Sequence, residues 1–174
     1  KEEEDIKREI EKRITEIKKK NEEVLRRVEE LIKRIHELNK RIEDTIDEEI
    51  RRIEDLVRRG TDKEDLKRRV KEIEDRVRRL IEDSRKKIKD IEEEVKDLAR
   101  RSRKEIKEIK DEVRKKVDDD VLRKLKRLLD EIIKHSEDVL RKIKELLDEI
   151  KRDSDRVFKK LKELLDRIAR EIEK

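Results

Sequence analysis

The chain has 174 residues, of which 63% are Asp, Glu, Lys or Arg, and its formal net charge is +5. It has one Gly and one Phe, and no Cys, Met, Pro, Trp or Tyr. These counts exclude disulfides and thiol chemistry and leave no Gly-rich loop for a P-loop or dinucleotide fingerprint. No apolar run approaches the length needed to span a membrane. A chain this charged would be disordered if its apolar residues were scattered. Instead, the 30% that are apolar recur at steps of three and four, the pattern of long amphipathic helices.

The first helix is read over about 2–59. Its end is marked by Arg58 and Arg59, which complement the negative helix terminus, and by Gly60, which suits the left-handed position just beyond it. Thr61 or Asp62 can cap the second helix, with Glu64 placed as in a capping box after Thr61. That helix is read over about 62–117. It lacks a Gly stop, and its end rests on Lys115 and Lys116. Asp118 to Asp120 then supply a cap and an acidic first turn for a third helix over about 119–173. Helices of this length measure roughly 80 Å. Connections this short make successive helices antiparallel neighbours.

Each helix carries one apolar stripe, and each stripe is interrupted twice by a small polar residue. The interruptions are Asn21 and Asn39, Ser84 and Ser102, and Ser136 and Ser154, every pair 18 residues apart. Eighteen residues are five turns of an α-helix, which predicts nearly straight helices. Residues level with one another across an antiparallel turn have numbers that add to a constant. That constant is 123 for Asn21 with Ser102 and for Asn39 with Ser84, which centres the turn in Gly60–Lys63. It is 238 for Ser102 with Ser136 and for Ser84 with Ser154, centred in the Asp run. Two polar layers are therefore predicted: Asn21, Ser102 and Ser136, and Asn39, Ser84 and Ser154. In each, the amide is expected to meet both hydroxyls, since Asn has two donors and an acceptor oxygen and Ser can do either job. Such a layer penalises slipped registers more than it stabilises the fold. The plainer alternative places these residues at the stripe edge, facing water.

His36 lies three residues before Asn39 and His135 immediately before Ser136, so each is expected beside one layer, as an outer member of it or as a solvated boundary residue. No metal site is expected: the layers are roughly 27 Å apart by helix rise, and neither His has a second Cys or His ligand nearby. No catalytic or cofactor-binding residue stands out. Carboxylates are abundant but sit three or four residues from Lys or Arg on solvated faces, and Ser has no triad partner. The region from 60 to 117 is the most basic, with 22 basic and 17 acidic residues. Without aromatic stacking residues this is a poor nucleic-acid surface, and without interfacial aromatics a membrane surface is not expected either.

The 18-spaced pairs, the ideal connections at Gly60–Lys63 and Asp118–Asp120, and the surfaces of Glu, Lys, Arg and Asp resemble those of computationally designed helical bundles with buried hydrogen-bond networks. That resemblance implies a stable scaffold with no evolved activity and no cofactor. Ile- and Val-rich first and second helices depart from the usual Leu-rich pattern of such bundles. A spectrin-like three-helix repeat is the nearest natural counterpart, but natural repeats usually show aromatic residues and irregular loops. The expected architecture is all-α: one elongated up-down-up antiparallel three-helix bundle over 1–174. No partner is required. The alternative is an interaction module, a homo-oligomer or a binder of a designed helical partner, using the broader apolar face of helix 3 at Leu128/Leu129, Ile132/Ile133, Leu146/Leu147 and Leu164/Leu165. Localisation is not readable from the sequence. A soluble recombinant product of cytoplasmic expression is expected, with the start at Lys1 reflecting a removed tag.

Overall fold

The computed structural model describes residues 2–174, with side chains from Glu3 onward. Three long helices pack as a bundle: α1 (Glu2–Arg58), α2 (Lys63–Lys116) and α3 (Asp119–Glu173). No strand is present among the described residues.

The two connections stop and restart the helix by different chemistry. After α1, Gly60 adopts φ +78°, a conformation open to Gly without the Cβ penalty other residues meet. Its N–H bonds Val57 O and the Thr61 N–H bonds Leu56 O, both at 3.1 Å. This Schellman pair satisfies carbonyls that the helix end would otherwise leave free. The carbonyl of Asp62 accepts from Leu66 N at 3.1 Å, which makes Asp62, rather than Thr61, the cap residue of α2. Glu64 therefore does not sit in the capping-box position that a Thr61 cap would require.

The second connection is shorter and has no left-handed residue. The Val117 N–H still bonds Val113 O at 3.1 Å. Asp118 caps α3: its side-chain Oδ1 accepts from Val121 N at 3.1 Å, and its carbonyl accepts from Leu122 N at 2.9 Å. Asp119 and Asp120 fill the first turn, where the helix dipole favours negative charge.

Contacts divide the chain into two compact units. The first comprises Lys1–Glu30 and Ile91–Leu146, the second Leu31–Asp90 and Leu147–Lys174. In the first, Ile10, Ile14 and Ile17 of α1 pack with Ile106, Ile109 and Val113 of α2 and with Val121, Leu125, Leu129 and Ile132 of α3. In the second, Ile42, Ile46, Ile50 and Ile53 of α1 meet Leu66, Val70, Ile73 and Val77 of α2, and Val157 to Ile172 of α3. Phe158, the one aromatic residue, belongs to this second core. The extra apolar positions of α3 mostly serve these cores. Leu122, Leu128 and Ile133 lie half-buried against the first, and Leu164 against the second. No large hydrophobic residue is exposed among the described residues.

Candidate functional site

Asn21, Asn39, Ser84, Ser102, Ser136 and Ser154 are the buried polar residues among those described, each at most 5% exposed. All six lie on the apolar stripes, where burial of an unbonded amide or hydroxyl is penalised. Each unit contains three of them, one from each helix.

In the first unit the layer is bonded throughout. Asn21 Nδ2 donates to Ser136 Oγ at 3.1 Å, and Ser102 Oγ donates to Asn21 Oδ1 at 3.3 Å. One amide of α1 thus ties α2 through its oxygen and α3 through its nitrogen. His135 stands at the rim, 24% exposed, with Nε2 3.6 Å from Glu22 Oε1, beyond hydrogen-bonding range. Its buried Nδ1 has no hydrogen-bond partner. His135 therefore sits next to the layer in sequence without joining its hydrogen bonds.

The second unit is built differently. Asn39 Nδ2 donates to Ser154 Oγ at 3.0 Å and also approaches Asp153 Oδ2 at 3.3 Å. The same carboxylate oxygen lies 3.0 Å from His36 Nδ1. His36 is thus linked to the layer through Asp153. Contrary to the sequence expectation, Asn39 does not meet both hydroxyls: Ser84 Oγ and Asn39 Oδ1 are buried without a hydrogen-bond partner. The amide has turned its bonding toward α3.

Asp153 is the residue that sequence reasoning missed. Burial pushes its carboxyl upward, but hydrogen bonds with Asn39, Arg156 and His36, together with the His36 charge, outweigh that and hold the group below its usual value. Arg156 Nη2 reaches Asp153 Oδ1 at 3.2 Å and Glu43 Oε2 at 4.0 Å. Lys160 pairs with Glu43 and lies 3.7 Å from Asp47 Oδ2. A chain of alternating charges therefore runs from the buried amide out along the α1–α3 seam of this unit. The signal was available. Asp153 precedes Ser154 as His135 precedes Ser136, 18 residues apart, so the polar repeat includes a second, outer position.

The layers are built of hydrogen-bonding amides and hydroxyls. Among the described residues no group of three or more His, Cys, Asp or Glu side chains is placed to hold a metal ion. Ser102, Ser136 and Ser154 have carboxamide partners and Ser84 has none.

Fold and site together define an all-α three-helix bundle with a buried Asn–Ser hydrogen-bond network. No known protein family matches the chain, and no curated protein does. Among solved structures, one described as "Computationally designed three helix bundle" is similar at 24% identity, with a TM-score of 0.46 over 98% of this chain and 83% of that one. So loose a superposition adds nothing to what the chain's own hydrogen bonds establish.

Proposed function

We propose that the chain is a designed structural scaffold without evolved catalysis, and that its buried polar layers specify helix register. The observation that carries this reading is the confinement of the buried polar residues among those described to six, five of which bond across helices within their unit. Random burial of polar groups would not repeat at 18-residue spacing on three helices. The sequence supports the same reading through its surface, 63% charged, and its economical connections.

Register selection follows from energetics. A satisfied polar layer contributes little net stability relative to an apolar one. A slipped arrangement, by contrast, sets an amide against Ile or Val and leaves it unbonded, at roughly 1–3 kcal/mol per stranded group. The test is the double variant Asn21→Leu/Asn39→Leu, examined by the amide spectrum in solution. The parent is expected to give one sharp resonance per residue. The double variant remains helical but shows multiple resonances from coexisting registers. One sharp set in the double variant would refute the register role.

The alternative reading, a homo-oligomer or a partner helix docked on α3, draws on the half-buried positions Leu140 and Leu146, which belong to neither core cluster. Light scattering separates the two readings: 21.5 kDa for a single chain, twice that for a dimer.

A further inference from the structure

The second unit holds a complementary but unmatched pair: Ser84 Oγ, a donor, and Asn39 Oδ1, an acceptor, neither with a hydrogen-bond partner. Ser84 is 0% exposed and Asn39 1%, so bulk water does not reach them. In the first unit the equivalent atoms bond directly, Ser102 to Asn21. The helix register is the same in both cases. The flanking α1–α2 ion pairs, Arg13 with Glu112 and Glu49 with Arg76, have residue numbers that add to 125 in each unit. Ser84 therefore faces Asn39 as Ser102 faces Asn21.

The difference lies on the α3 side. Position 135 of the first unit is His, and its equivalent, position 153, is Asp. An ionised carboxylate is a stronger acceptor than a hydroxyl, and Asn39 Nδ2 reaches both Asp153 and Ser154. This draws the amide toward α3 and away from Ser84. Ile35, Ile42, Ile88, Ile150 and Val157 in the adjoining turns are buried and offer the pair no polar partner.

We propose that one enclosed water molecule bridges this pair, accepting from the Ser84 hydroxyl and donating to Asn39 Oδ1. Buried waters occupy sites of this kind, where polar groups would otherwise be unbonded, and such a bridge is nearly as favourable as a direct bond. The first unit has no counterpart, because its amide spans both serines.

The test is water–protein cross-relaxation by nuclear magnetic resonance on the labelled parent protein. A resident-water signal is expected at Ser84 and Asn39 and none at Ser102 and Asn21. In Ser84→Ala, with helicity unchanged, that signal is lost. In Asp153→Ala the amide recentres, Ser84 bonds it directly, and the signal is again lost. Absence of resident water at Ser84 in the parent, or its persistence in Ser84→Ala, overturns the proposal. Persistence in Asp153→Ala overturns the role given to the carboxylate.

Discussion

The two polar layers share one composition, Asn with two Ser, and yet bond differently. Around Asn21 the amide satisfies a hydroxyl on each neighbouring helix. Around Asn39 it satisfies one hydroxyl, leans on Asp153, and leaves Ser84 unbonded. Identical buried residues therefore do not guarantee identical networks. The outer neighbours differ, His135 in one unit and Asp153 in the other. A charged acceptor at the rim can compete for an amide in the core, since charge-assisted bonds are roughly twice as strong as neutral ones.

The largest expected effect tests whether the apolar cores are comparable. Leu125 and Leu161 are each 0% exposed, one per unit. Truncation to Ala is expected to destabilise by about 2–5 kcal/mol in either case, read from guanidinium unfolding. Because α1 runs unbroken from Glu2 to Arg58, both variants should unfold in one transition. A second transition in either variant would break the comparison by separating the units energetically.

The layers themselves come next. Asn21→Leu strands two serines and is expected to lose about 1–3 kcal/mol. Asn39→Leu takes one direct hydrogen bond from a serine, that of Ser154, and the amide end of the proposed water bridge from Ser84, and is expected to lose less. Equal losses would mean that Asn39 is better bonded than its geometry indicates. The connections offer a smaller contrast. Gly60→Ala forces a side chain into the left-handed region at about 1–2 kcal/mol, with no further clash, since beyond the chain neighbours nothing lies within 4 Å of the added Cβ. Asp118→Ala removes a cap and is expected to lose about 1 kcal/mol.

The smallest effect is pH dependence. The folded Asp153 carboxyl sits below its ordinary value of 3.8. Its contribution is therefore fully present above the unfolded pKa and is lost as pH falls through the lowered folded one. Parent and Asp153→Asn should accordingly differ most near neutral pH and converge in acid below 3.8. A gap that does not narrow on acidification would show that Asp153 contributes through shape, not charge.

Much of this was legible beforehand for a physical reason. Helical period and short connections leave few arrangements, so the interruption at Asn21, Ser102 and Ser136 could be located by counting alone. Capping was harder: Thr61 and Asp62 are both good caps, and only the backbone bond from Leu66 to Asp62 chooses between them. The unmatched Ser84 was not legible at all. Spacing rules treat Ser84 and Ser102 as equivalent, and they take no account of the carboxylate beside Asn39.

The left-handed turn at Gly60 has one more consequence. Its surroundings are open, and its work is done by backbone geometry alone, so the reversal of direction asks nothing of neighbouring side chains. Lengthening the chain there would forfeit the pair of turn bonds and add only a slowly growing closure entropy, about 0.6 kcal/mol per doubling of loop length. A guest peptide spliced at that corner would be displayed on rigid stems, with both interior layers left as they are.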